Sequence, residues 1–245
     1  MNGHASTSFV ERLRRRDPLL GTVLTVPSVV LAELVAEPLD FVWLDLEHGA
    51  LGVRDVAPLA VAARAAGAAA FVRLPAASGA DLAAVLDAGV DGVVAPRVES
   101  AFEAERLVDG LRHPPSGSRG YAARRAQGYG RAAHEVEPLL LAQIESPAGV
   151  VAASEIAAVD SVDALVVGCA DLALSFDGLP RGAIAEIQAA AAAHEIASGI
   201  AGPDDPELLL ELAGAASTVL VCSADVRLYA RAVDAAVREV QRVRA

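Results

Sequence analysis

At 245 residues, 54% of them hydrophobic, the chain suits one large α/β barrel or two small domains. Its net charge of −12 argues against nucleic acid and anionic membrane as partners, since both need basic surface, and no apolar run approaches transmembrane length. All twenty basic residues are arginines, so catalysis through a lysine Schiff base is excluded, and carbon–carbon chemistry would need a metal or another way to hold an enolate.

The N-terminus shows no signal-peptide core, and Cys169 and Cys222 alone make no disulfide framework; both features fit a cytoplasmic, reducing setting. Residues 9–16 read as a short helix ending in Arg14, Arg15 and Arg16, a solvated basic end. The first strand is expected at 21–26 (GTVLTV), followed by a helix to residue 36 with Ser28 as its N-cap. Further strands are expected at 41–46, 70–73 and 92–95, each followed by a helix, at 53–66, 80–88 and 100–111. Residues 113–137 then break the rhythm. Their Pro, Gly and Arg density marks a long loop, in which Arg119, Arg124 and Arg125 read as anchors.

Beyond that loop the pattern is strand, helix, strand: LLLAQIES, a helix opened by Pro147, then DALVVGCAD. An alanine-rich helix at 181–198, a faint strand at 199–201, a helix at 206–214, a strand at 218–222 and a closing helix at 223–243 complete the chain. Eight short apolar strands alternating with helices predict a (β/α)₈ TIM barrel, one domain over residues 1–245. A doubly wound sheet is the competing architecture. Against it, no G-x-G-x-x-G follows the first strand and no P-loop occurs.

Barrels of this kind carry their sites at the C-terminal ends of the strands. Those ends read Asp45, Glu47 and His48, then Arg73, Arg97, Gln143 with Glu145, Asp171, and finally Ser223 with Asp225. Glu145 and Asp171 end consecutive apolar runs. They can converge on one hard cation with room left for water and substrate, although two unrelated loop acids would give the same pattern. Asp45, three residues before His48, could accept from one ring nitrogen and leave the other free for proton transfer. Arg73 in FVRLP presents a fork suited to an α-keto carboxylate or an enolate, or else to a structural pair with Asp45 or Glu47. Asp87, in VLDAGVDG, sits where an acid and a glycine ordinarily mark a turn.

Asp45-Leu-Glu47-His48-Gly, FVRLP, LDAGVDGVVAPRVES, the HPPSGSRGY loop, QIES and GCADL, in that order, resemble the HpcH/HpaI family of metal-dependent pyruvate aldolases. The resemblance runs over roughly residues 20–230. It implies a TIM barrel assembled as a homotrimer or homohexamer, with the closing helix packed on a neighbouring subunit. It further implies that Glu145 and Asp171 bind Mg²⁺, Mn²⁺ or Co²⁺, and that Gln143 and the Ala170 backbone contact a 2-oxo acid beside Asp171. His48 would be the acid/base residue supported by Asp45, Arg73 the enolate stabiliser, and Asp87 a contribution to a neighbour's site. The implied reaction is cleavage or formation of a 4-hydroxy-2-oxo acid from pyruvate and an aldehyde. Oxaloacetate decarboxylation, a biosynthetic enolate condensation, a CoA-dependent lyase and a catalytically silent scaffold are the alternatives. Three departures bear on substrate choice: Cys169 stands where the family has proline, Ala173 where a serine often occurs, and residues 174–182 look shortened.

Overall fold

A computed structural model of the chain describes residues 4–79, 81–131 and 137–244, with side chains from Phe9 onward. Its parallel strands are β1 (Leu19–Leu24), β2 (Phe41–Asp45), β3 (Ala69–Arg73), β4 (Gly92–Ala95), β5 (Leu139–Ile144), β6 (Ala164–Gly168), β7 (Ala197–Ala201) and β8 (Val219–Ala224). They close in sequence order, with β8 back on β1. The helices are α1 (His4–Arg15), α2 (Val29–Ala36), α3 (Val53–Ala65), α4 (Leu82–Asp87) and α5 (Ala101–Leu111). After the long loop come α6 (Pro147–Ala157), α7 (Cys169–Ser175), α8 (Arg181–Ala193), α9 (Pro206–Ala213) and α10 (Asp225–Arg244). This is the (β/α)₈ barrel that the alternation predicts. No helix among the described residues is long and apolar enough to cross a membrane.

Local chemistry sets the helix starts. Ser28, Ser100, Ser146 and Asp205 each accept a backbone N–H from the first turn that follows, and Pro147 and Pro206 occupy positions where no N–H is needed. Strand residues alternate between two cores. Phe41, Trp43, Phe71, Val94 and Leu141 fill the barrel interior, while Val42, Leu44, Val72 and Leu165 pack outward against helices.

One end of the barrel is plugged. Phe9 of α1 lies with its ring centroid 5.7 Å from Phe41 and 5.2 Å from Phe71, whose own centroids are 6.0 Å apart. Glycines make room for these rings: a Cβ at Gly21 would come within 2.4 Å of Phe41, and one at Gly92 within 2.6 Å of Phe71. With the N-terminal end filled, chemistry is confined to the other mouth.

Several boundaries depart from expectation. β1 begins two residues early because Leu19 and Leu20 pair with Val219 and Leu220, and it ends at Leu24 because the next two amides turn to Asp225. The alanine-rich helix stops at Ala193, not 198; Glu195 takes a left-handed φ of +58°, and Ala197 and Ser198 belong to β7. The closing helix starts at Asp225, leaving Ser223 in β8, and α7 is an unforeseen element carrying Asp171 in its first turn. The helix expected from residue 80 runs over Leu82–Asp87, Ala80 lying outside the described residues. In the long loop, Arg125–Gly130 forms a 3₁₀ segment, and 132–136 lie outside them too.

The closure between β1 and β8 is the least covered seam. Leu20 is 40% exposed, and Leu220 and Cys222 are half-buried, whereas β2, β5, β6 and β7 are buried throughout.

The aromatic plug makes a direct prediction. Phe9→Ala removes a large side chain from a filled space, so it should lower the free energy of unfolding in urea by about 3 kcal/mol. A loss under about 1 kcal/mol would mean that α1 does not seal the barrel.

Candidate active site

The register of β2 on β3 makes Asp45 and Arg73 direct neighbours. Arg73 donates from Nε to Asp45 Oδ1 at 2.9 Å and from Nη2 to Oδ2 at 2.6 Å, a bidentate fork, and its Nη1 lies 3.3 Å from Glu47 Oε2. Burial works against the guanidinium charge, but the hydrogen bonds to Asp45 and the charges of Asp45, Glu47 and Glu145 prevail and raise its pKa. Asp45 Oδ1 also accepts the backbone N–H groups of Glu47 at 3.0 Å and His48 at 3.3 Å, so one buried carboxylate fixes both the turn and the arginine.

That arrangement corrects an expectation. Asp45 reaches His48 through the backbone, not through the ring. The imidazole is exposed, and the carboxylate beside it is Glu47, with Oε2 3.8 Å from His48 Nε2. Arg73 takes the structural pair that the sequence left open, with both acids at once.

Across the barrel, Glu145 is the first residue beyond β5 and only 3% exposed. Gln143 Nε2 donates to its Oε2 at 2.7 Å, and the backbone N–H of Arg97 donates to the same carboxylate. Arg97 can aim that amide because its backbone is left-handed, φ +50°. A carboxylate only accepts, so the Gln143 amide is oriented by it, leaving Oε1 buried with no protein partner among the described residues. Gly168 is required for close approach: a Cβ there would sit 2.2 Å from Glu145 Oε2 and 2.6 Å from Gln143 Nε2. Half-buried Asp171 follows in the first turn of α7.

The electrostatics are one-sided. Burial, then the charges of Glu47 and Asp171, push the Glu145 pKa up to about 7, against Arg73 and the Arg97 amide. Burial likewise raises Glu47, with Asp45 and Asp171 adding to the effect and Arg73 and His48 opposing it. Four carboxylates thus share a neighbourhood with one guanidinium already engaged by two of them. No three His, Cys, Asp or Glu side chains form a liganding cluster among the described residues. A pair, Glu145 with Asp171, could hold a hard cation by oxygen donors and leave its other positions to water and substrate, and the uncompensated acids and the orphaned Gln143 oxygen fit such a group.

A cavity of about 280 Å³ opens over these residues, lined by Asp45, His48, Arg73, Gln143, Gly168, Cys169 and Ala170 on one side and by Asp204, Ser223, Val226 and Arg227 on the other. Burial pushes the Cys169 thiol up to about 12, which favours the neutral thiol. Of the acids singled out in the sequence, Asp45 alone is part of this lining; Glu145 touches it through Gln143 and Gly168, Glu47 and Asp171 flank it, and Asp225 and Asp87 are engaged elsewhere. Asp225 accepts from the Thr25 hydroxyl and the Thr25 and Val26 amides, tying β8 to the turn after β1. Asp87 closes α4, its Oδ1 3.8 Å from Arg119 Nη2.

A family model described as HpcH/HpaI aldolase/citrate lyase matches residues 26–203. The chain belongs to that family. It is 34% identical to a hydroxypyruvate/pyruvate aldolase of Paraburkholderia phytofirmans over 249 aligned residues, covering 94% of this chain and 96% of the relative. Among solved structures it resembles an HpcH/HpaI aldolase/citrate lyase family protein from Burkholderia cenocepacia, with a TM-score of 0.89, 32% identity and coverage of 96% and 99%. It also resembles the citrate synthase SbnG, with a TM-score of 0.82, 26% identity and coverage of 95% and 97%. The protein is a carbon–carbon lyase of this family.

Two features of the site were not assigned from the sequence: Arg97 acting through its amide, and Asp204 with Arg227 on the wall that Ser223 joins. The sequence places Glu47 at this mouth as a possible partner of Arg73, and the structure makes that pair.

The raised Glu145 pKa has a signed consequence for stability. A carboxyl protonating near 7 in the folded state and near its ordinary 4.5 when unfolded favours the fold at low pH, and that contribution is lost as pH rises through 7. In chelator at pH 8, Glu145→Gln should therefore stabilise the protein, on the order of 2–3 kcal/mol, with the gain fading toward pH 5. Thermal unfolding at both pH values checks this; equal or lower stability of the variant at pH 8 would show that Glu145 is already compensated.

Proposed function

We propose that the protein is a divalent-metal-dependent aldolase that cleaves or forms the C3–C4 bond of a 4-hydroxy-2-oxo acid through a pyruvate enolate. The observation that carries this reading is a deeply buried glutamate, Glu145, set among further acids whose nearby guanidinium is already paired. Mg²⁺, Mn²⁺ or Co²⁺ would be held by Glu145 and Asp171, and when bound it supplies Lewis acidity that eases loss of a methyl proton from the oxo acid.

The chain's own residues supply the rest. Gln143 and the Ala170 backbone, both at the cavity wall, contact the oxo acid. Arg73, held at two points by Asp45, offers positive charge to the enolate oxygen without having to reorganise. In the synthetic direction C3 of the enolate attacks the aldehyde carbon, and the new C4 oxygen takes a proton. His48, exposed at the mouth with Glu47 beside it, delivers that proton from its ring and removes it in cleavage. The likeness to SbnG favours a second reading on the same residues, an enolate condensation that builds a larger acid.

The test is chelation. Exhaustive EDTA treatment should abolish pyruvate-dependent turnover, with recovery on adding Mg²⁺, Mn²⁺ or Co²⁺, and borohydride with pyruvate should leave no adduct by mass spectrometry. Activity surviving chelation would refute the metal-dependent reading.

The same reading includes assembly as a homotrimer or homohexamer. Residues 226–244 of α10 are all exposed, and Tyr229, Val233, Val237 and Val240 run along it at helical spacing as one apolar stripe. The half-covered β1–β8 seam, flanked by exposed Val30 and Leu34 of α2 and Leu210 of α9, offers a matching surface on a neighbour. Any such assembly would have to bring Asp87 to a neighbour's cavity for it to act there. Val233→Asp with Val237→Asp should dissociate the oligomer in sedimentation velocity and lower activity at least about 10-fold. A fully active monomer would defeat this part of the proposal.

A further inference from the structure

The turn that ends β4 holds its backbone where its residue type does not favour it. Pro96 and Arg97 follow the strand, and Arg97 takes a left-handed φ of +50°, a place that glycine or asparagine ordinarily fills after proline in a tight turn. The side chain of Arg97 gives no reason for this. More than half of it is exposed, it pairs loosely with Glu99 (Nε 3.7 Å from Oε1), and it is not part of the cavity lining.

The backbone gives the reason. Two successive amides of the turn reach across to the end of β5: Arg97 N–H donates to the Glu145 carboxylate, and Val98 N–H donates to the Gln143 carbonyl at 3.1 Å. One grip is on the main chain and the other on the side chain. Gln143 Nε2 also donates to Glu145, but it rides on the same strand; the Arg97 amide is the donor that ties this carboxylate to a neighbouring one. The turn is itself held from both sides. A Cβ at Gly149 would come within 2.8 Å of the Val98 oxygen, so the start of α6 lies close against it. Beyond it, Glu99 N–H donates to Glu103 Oε2 at 2.7 Å and Glu103 N–H to Ser100 Oγ at 3.3 Å, which fixes the entry to α5. An unfavourable backbone persists where its surroundings over-determine it, and such positions cluster at working sites.

Resting on the metal-dependent reading above, we infer that Arg97 is a positioning residue for Glu145, acting through its left-handed backbone and not through its guanidinium. With the amide in place, Glu145 presents a fixed carboxylate to the cation. With residue 97 at negative φ, the amide turns away and the carboxylate is free to rotate. The site therefore requires at 97 a residue that tolerates positive φ, whatever its charge.

The experiment measures Mn²⁺ binding to the full chain through the electron paramagnetic resonance of free Mn²⁺, with circular dichroism at the same temperature to establish that each variant is folded. Arg97→Asn and Arg97→Gly are uncharged but at ease with positive φ, and should bind Mn²⁺ within about 2-fold of the wild type. Arg97→Val, whose branched side chain resists that backbone, should weaken binding about 10-fold or more. Arg97→Ala should fall between them, at least about 3-fold weaker than Arg97→Gly, and this pair carries the test if Arg97→Val does not fold. Affinity that follows charge, lost alike in Arg97→Asn and Arg97→Val and kept in Arg97→Lys, overturns the inference by moving the role to the guanidinium. So does an Arg97→Val protein that unfolds more readily in urea yet binds Mn²⁺ as the wild type does, because the turn then serves the fold alone. Equal Mn²⁺ binding across all the variants removes the inference and leaves the metal-dependent reading standing, whereas a wild-type protein that binds no Mn²⁺ defeats that reading and the inference with it.

Discussion

Everything at the mouth follows from how Asp45 holds Arg73. The fork consumes both oxygens of the acid and fixes the plane of the guanidinium, and the same carboxylate draws in the amides of Glu47 and His48. Remove it, and three things lose their place together: the arginine, the turn that carries Glu47, and the histidine at its tip. The pair also settles the charge pattern. Burial first, then the charges of Glu47 and Asp171, push the Glu145 carboxyl up to about 7, and Arg73, engaged by Asp45 and Glu47, offsets this only in part.

The barrel supports this by being closed at one end. Phe9, Phe41 and Phe71 fill the N-terminal end, so the inward residues one layer higher are the ones with space above them. Inward positions that are phenylalanine, tryptophan and leucine at the bottom become aspartate, arginine and glutamine at the top. Gly168 then lets the end of β6 lie against Glu145 and Gln143 without a side chain between them. The departures from the family pattern fall on the walls, at Cys169 and beyond, and leave the acids where they are.

The sequence made the alternation of strands and helices legible because each strand is a short apolar run ended by a polar residue or a turn. It also pointed to Asp45, His48, Arg73, Gln143, Glu145, Ala170 and Asp171 at one end, since a strand's last residue is easily found. What it could not supply was register. Asp45 and Arg73 are 28 residues apart, and only the pairing of β2 on β3 makes them partners in place of Asp45 and the His48 ring. Arg97 acts through a backbone amide, to which its side chain gives no clue. Ser223 and Asp204 meet across 19 residues and a helix, with nothing local to link them. The end of α8 was missed for a different reason: a run of alanines has no polar face, so neither a helical nor a strand period stands out in it.

The path of α10 ties three regions together. Its first residue, Asp225, secures the turn after β1; its next two, Val226 and Arg227, line the cavity; and the remainder carries the apolar stripe. A continuous helix joins these as one rigid rod, so its tilt sets the distance from Arg227 to the opposite wall. Where contacts along the rod shift that tilt, they and ligands at its foot are thermodynamically linked. Whatever factor docking of the stripe adds to ligand affinity, the ligand must return to docking in equal measure.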